Sequence, residues 1–157
     1  MRGTLLFLHI ASFAVWLGAS LTFMIWGPSA RGASLEAWAH TWMTLAKVQR
    51  AIVAPACLVA TLTGIFLTLA LVQGHFDMGS AVWLMVMQSF GVVAALLTLA
   101  IATPMANRMG VLAARSLEKG VQEPSAESVR RKLALVGSLS GLFVIVAVYF
   151  GALRPTL

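Results

Sequence analysis

The run from Thr4 to Pro28, TLLFLHIASFAVWLGASLTFMIWGP, contains no Lys, Arg, Asp or Glu. About 20 apolar residues suffice for a helix to cross the hydrocarbon core of a bilayer, so the run predicts a membrane span over residues 4–26. Within it, His9 is followed seven residues later by Trp16. Seven residues make two helical turns, so both side chains are expected on one face. An ionisable side chain inside a membrane segment is costly, which makes His9 the first candidate functional residue.

The composition of the whole chain favours the same class of protein. Of its 157 residues, 60% are apolar and only 10% are charged, whereas soluble domains contain about 25% charged residues. Three further apolar runs cover residues 51–72, 80–106 and 133–153. These runs are continuous and do not alternate with polar residues, which argues against a β-barrel. We therefore expect one all-α domain over residues 1–157, an integral membrane four-helix bundle.

Two of the connections between the runs are long. Residues 34–50 place apolar side chains at helical spacing, which predicts an amphipathic segment at the membrane interface. Trp38 and Trp42 in this segment are expected to act as interface anchors. Residues 107–132 predict a polar loop that is helical at both ends and broken just before Ser125.

The distribution of basic residues predicts the orientation. Nine of the eleven Lys and Arg residues lie on the two long connections, and the other two lie near the chain ends. By the positive-inside rule, both long connections should be cytoplasmic and both termini should be on the outer side. The net charge of +6 thus reflects topology, and we expect membrane lipid and not nucleic acid as the partner.

In this topology the outer half of the bundle holds the side chains that could meet His9. His9 lies about 7–8 Å from the outer end of its helix, and Met87 about 10 Å from the same side, at 1.5 Å per residue. Met85 lies near the same level, and His75 belongs to the outer connection. Imidazole and thioether groups are known ligands of haem iron and of copper. His9, Met85, Met87 and His75 are therefore the candidate metal ligands.

A role without any cofactor is the alternative. A single histidine in a membrane helix can serve only to hydrogen-bond a neighbouring helix, and methionine is a common filler of apolar cores. Ala60 and Gly64, like Gly137 and Gly141, form small-xxx-small pairs, which pack helices within a bundle or between the copies of a homodimer or larger complex. The sequence shows no glycine-rich phosphate loop and no zinc spacing.

Three short motifs, one in each of the first three apolar helices, carry a family resemblance. They are His9-x6-Trp16 followed by Gly-Ala-Ser and Pro28, then Arg50-x4-Pro55-x8-Gly64, and finally Gly79-Ser80-Ala81-Val82-Trp83. Together they resemble the HemJ- and CopD-like small membrane proteins, and the resemblance covers most of the chain. It implies a bacterial inner membrane protein with four helices and long cytoplasmic loops.

The resemblance also implies a cofactor. HemJ-like proteins bind b-type haem and oxidise protoporphyrinogen, with a first-helix histidine as one axial ligand, here His9. Their second ligand is a third-helix lysine four residues after a tryptophan, and Met87 occupies that position here. If haem is bound, Trp16 and Trp83 would form the walls of its pocket, and Arg50 would be the candidate partner of the propionates if the haem reached the cytoplasmic end.

The family pattern is not complete in this chain. The Leu-Pro-Arg motif and the following histidine of HemJ-like proteins are absent after the first helix, where the sequence reads WGPSARG. The leading hypothesis is therefore a haem-b-binding membrane protein with a redox or electron-transfer role, with HemJ-like oxidoreductase activity left open. The alternatives are a CopD-like copper-handling protein and a cofactor-free scaffold or accessory subunit.

Overall fold

The computed structural model describes residues 2–72 and 82–153, and every secondary-structure element in these residues is helical. The predicted all-α class is confirmed. The helices are α1 (Arg2–Ser29), α2 (Leu35–Val48), α3 (Ala54–Val72), α4 (Val82–Leu96), α5 (Thr103–Lys119) and α6 (Pro124–Leu153). Short π-helical segments, Gln49–Val53 and Leu97–Ala102, join α2 to α3 and α4 to α5. Each of these two pairs is therefore one continuous helix.

Within residues 2–72 and 82–153, four helices are long and apolar enough to cross a membrane, as the sequence predicts. They are Arg2–Ser29, Leu35–Ala70, Val82–Lys119 and Pro124–Leu153. The second and third, with 36 and 38 residues, are much longer than the roughly 20 residues that a bilayer requires. Their extra length comes from α2 and α5, which extend α3 and α4 at the same end of the molecule.

The π-helical segments lie just before Pro55 and Pro104. A proline inside a helix lacks the amide hydrogen, and its ring clashes with the carbonyl four residues earlier. A wider π turn relieves that crowding without ending the helix. Before Pro104, the amide of Thr103 donates to the carbonyl of Thr98, five residues back. The Thr103 hydroxyl donates to the same carbonyl at 2.8 Å.

The helices α2 and α5 pack against each other, which corrects the expectation for the two tryptophans of α2. Trp38 and Trp42 are only 7% and 6% exposed, and they lie in a core cluster with Met109 of α5. They are therefore buried within the protein and do not serve as interface anchors. The periodicity of α2 predicted its apolar face correctly, but that face is covered by α5, which is also amphipathic.

The remaining helices form two pairs. The helix α1 packs along α3, and α4 packs along α6, whereas α3 and α4 touch each other only slightly. A second core cluster, which includes Trp16, Cys57 and Val144, joins the two pairs at mid-height. A Cβ atom on Gly141 would lie 2.7 Å from Cε of Met24 in α1. This member of the predicted Gly137/Gly141 pair therefore packs inside the bundle.

Candidate functional site

A large cavity opens between the two helix pairs, at the end of the bundle away from α2 and α5. Its volume is about 740 Å³, within the range of roughly 300–1,000 Å³ that is typical of ligand sites. All four apolar helices contribute to its walls. The lining includes Arg2, His9, Phe13, Trp16, Gly64, Thr68, Trp83, Met87, Gln88, Gly91, Val144 and Gly151.

His9 is half-buried in the wall of the large cavity, and one hydrogen bond decides which ring nitrogen carries the proton. Its Nδ1 lies 2.8 Å from the carbonyl oxygen of Ala60 in α3, and the Thr63 hydroxyl lies 3.3 Å from the same nitrogen. A carbonyl oxygen can only accept, so Nδ1 donates. In the neutral imidazole, Nε2 then carries the free lone pair. Among residues 2–72 and 82–153, no group hydrogen-bonds to this Nε2.

Gly64 makes room for the imidazole. A Cβ atom at this position would lie 3.0 Å from Cε1 of His9 and 3.3 Å from its Nδ1. The ring therefore lies directly against the backbone of α3, where it reaches the carbonyl of Ala60. The Ala60/Gly64 pair was predicted to pack helices, and the structure shows that the side chain packed there is the histidine itself.

Three more of the predicted site residues line the same cavity as His9, namely Trp16, Trp83 and Met87. Trp16 is only 3% exposed, and its indole Nε1 has no hydrogen-bond acceptor among the described residues. The sulfur of Met87 lies beside Gly151 of α6, because a Cβ atom there would be 2.7 Å from it. The structure thus brings together side chains that are 78 residues apart in sequence, counted from His9 to Met87.

Of the other predicted site residues, Met85 and Arg50 do not line the large cavity. Met85 is 54% exposed and is not part of the cavity wall. Arg50 is exposed in the π-helical segment before α3. Ten residues separate it from Ala60, which is about 15 Å along a helix. His75 lies outside the described residues. Within the part of the chain that the structure describes, no three His, Cys, Asp or Glu side chains form a metal-binding group.

Four polar residues of the cavity wall were not predicted, namely Arg2, Thr61, Thr68 and Gln88. The amide of Gln88 donates to the hydroxyl of Thr68, which links α4 to α3 across the wall. Arg2 lines the cavity near the start of α1. Positions 2, 9 and 16 are spaced by seven residues, so the same face that carries His9 and Trp16 also carries Arg2. That spacing was the signal that could have identified it.

The large cavity therefore combines an oriented imidazole, a thioether, two indoles and a guanidinium in largely apolar surroundings. Such a cavity suits a flat, largely apolar ligand that has one polar edge. No protein-family model matches the chain, and searches of curated proteins and of solved structures found no similar protein.

Proposed function

We propose that this chain is an integral membrane protein that binds b-type haem in the large cavity and has a redox or electron-transfer role. The observation that carries the proposal is the hydrogen bond from Nδ1 of His9 to the carbonyl of Ala60. Metal-binding histidines commonly make such a bond, since it fixes the tautomer and the ring orientation and leaves the other nitrogen for the metal. Here that other nitrogen belongs to a side chain in the cavity wall.

The surface of the bundle supports the membrane part of the proposal. Large apolar side chains are exposed on the outside of all four long helices, and Phe7, Ile25, Phe66, Leu96 and Leu142 are examples. A monomeric soluble protein rarely exposes so much contiguous apolar surface. With the basic connections in the cytoplasm, the termini and the large cavity would lie toward the outer side. The assignment to a bacterial inner membrane rests on the HemJ- and CopD-like resemblance.

The helix arrangement would allow two residues to hold the haem iron. His9 is on α1 and Met87 is on α4, and these helices are diagonal in the bundle because each packs mainly against α3 or α6. His9 and Met87 would thus hold a haem between the two helix pairs from opposite sides of the cavity. When bound, haem iron supplies one-electron redox chemistry, with a potential that depends on its axial ligands. The protein's part is to orient the ligand atoms and to exclude water.

The candidate partner of the haem propionates is Arg2, and not Arg50 as the sequence suggested. Arg50 is about 15 Å along the helix from the level of His9, whereas Arg2 lines the cavity itself. A guanidinium pairs well with carboxylates. We therefore assign the propionate contact to Arg2. The indoles of Trp16 and Trp83 would contribute flat apolar walls beside the macrocycle.

The test is the absorption spectrum of the full chain, purified in mild detergent after growth with a haem precursor. We expect an intense Soret band in the oxidised protein and sharp bands after reduction with dithionite. A colourless protein would contradict the proposal. Metal analysis of such a preparation would then distinguish copper handling from a cofactor-free scaffold, because only the copper-handling protein would contain stoichiometric copper.

Replacing Met87 tests the second ligand. Met87→Ala should retain haem through His9 but lower its midpoint potential, because a methionine ligand raises that potential. A redox titration followed by absorbance measures the shift. Met85→Ala is the matched control, since Met85 is two residues away but mostly exposed. The midpoint potential of the haem in this variant should equal that in the unmodified protein. Equal potentials in both variants would exclude Met87 as a ligand.

A further inference from the structure

A second, small cavity lies at the other end of the bundle. Its volume is about 190 Å³, and its walls come from α1 and the connection after it, from α2, α5 and α6, and from both π-helical segments. Two arginines, Arg31 and Arg130, are among the lining residues. The wall also includes the buried polar side chains of Gln49, Thr98 and Ser140. The small cavity is therefore mostly apolar, but two guanidinium groups and three buried polar side chains are part of its wall.

Positively charged side chains outnumber negatively charged ones around the small cavity. Arg130 is only 9% exposed, and its Nε and Nη2 donate to Glu127 at 2.7 and 2.6 Å. The same carboxylate accepts a bond of 2.8 Å from Arg131. One carboxylate therefore pairs with two guanidinium groups. Within the described residues, Arg31 has no carboxylate partner.

The polar side chains in the inner wall of the small cavity are held by hydrogen bonds, with one exception. The amide of Gln49 donates to the Thr103 hydroxyl at 3.0 Å, and the hydroxyls of Thr98 and Ser140 are 2.8 Å apart. The exception is Trp42, which lines the cavity and is only 6% exposed. Its indole Nε1 has no acceptor among the residues that the structure describes. A buried donor without an acceptor is unfavourable, and an oxygen-rich ligand would remove that cost.

We propose that the small cavity binds a phosphate group through Arg31 and Arg130. The planar guanidinium group matches the geometry of phosphate, to which it can donate two parallel hydrogen bonds. The volume of the cavity suits a group of this size and is too small for a macrocycle. The cavity also lies at the end of the molecule where nine of the eleven basic residues are found. The source of the phosphate is either an anionic phospholipid headgroup or free phosphate.

The proposal is tested by calorimetric titration of the full chain in mild detergent at constant ionic strength. The two probes are inorganic phosphate and short-chain phosphatidylglycerol. We expect saturable binding of at least one probe. Binding of both would identify free phosphate as a ligand, and binding of the lipid alone would identify the headgroup. Saturation by neither probe would overturn the proposal.

Variants determine whether the binding belongs to the small cavity. Arg31→Gln and Arg130→Gln should each weaken binding by about tenfold or more, because each removes a charge-assisted hydrogen bond. Arg115→Gln is the matched control, since Arg115 is exposed on α5 and lines neither cavity. The affinity of the Arg115→Gln variant for the bound probe should be unchanged. An equal loss in all three variants would overturn the proposal, because it would indicate general attraction to a basic surface. Arg31 is exposed, so Arg31→Gln remains decisive even if Arg130→Gln does not fold.

Discussion

His9→Ala is expected to abolish the haem absorption of the purified protein while leaving its helical content unchanged. The variant lacks Nε2, the proposed axial nitrogen, and residues that only orient a metal ligand already contribute about 10–100-fold to affinity. We therefore expect haem affinity to fall more than about 100-fold. The stability cost should be small, since the substitution chiefly removes one hydrogen bond to Ala60, worth about 0.5–1.5 kcal/mol. Absorbance and circular dichroism of the same sample measure both quantities.

Two further variants separate ligation from a general effect of losing a histidine. His40→Ala is the matched control, because His40 is exposed on α2 and its removal should leave the spectrum intact. His9→Gly leaves room for a free imidazole, so added imidazole should restore the Soret band. Haem that persists in His9→Ala, or that is lost equally in His40→Ala, would contradict the assignment of His9 as the ligand.

The four apolar helices were predictable because length and continuous apolarity are properties of the sequence itself. The burial of Trp38 and Trp42 was not predictable in the same way. The spacing of apolar residues shows which face of a helix is covered, but it does not show whether lipid or protein covers it. Only the pairing of α2 with α5 decides this, and that pairing brings together residues that are distant in sequence.

The candidate site, like the fold, was predictable from the sequence only in part. The seven-residue spacing placed His9 and Trp16 on one face, and the large cavity lies on that face. Met85 and Met87 are two residues apart, which is about 200° around a helix, so only one of them can face a given cavity. The sequence could not show whether Met85 or Met87 faces the cavity. Nor could it supply the acceptor for Nδ1 of His9, because the carbonyl of Ala60 comes from another helix.

Gly64→Leu should cause almost the same loss of haem as His9→Ala, although Gly64 has no ligand atom to lose. Even a Cβ atom at this position would lie 3.0 Å from Cε1 of the imidazole, and a leucine would occupy the space of the ring. His9 would then lose its bond to Ala60 and the orientation of its Nε2. Leucine favours a helix more than glycine does, by about 1 kcal/mol, which offsets part of the roughly 1–3 kcal/mol cost of overpacking. The variant should therefore remain folded.

Side chains of different size at position 64 test whether the loss of haem follows from crowding of the imidazole. Gly64→Ala should weaken haem binding less than Gly64→Leu, because the ring needs to shift by only a few tenths of an ångström. Gly18→Leu is the matched control, since a Cβ atom on Gly18 has no neighbour within 4 Å and the residue lies outside both cavities. Its haem content, measured by absorbance per protein, should be unchanged. If Gly64→Leu bound haem as well as Gly18→Leu does, the position of the imidazole against α3 would not matter for binding, and the orientation of His9 could no longer support the haem proposal.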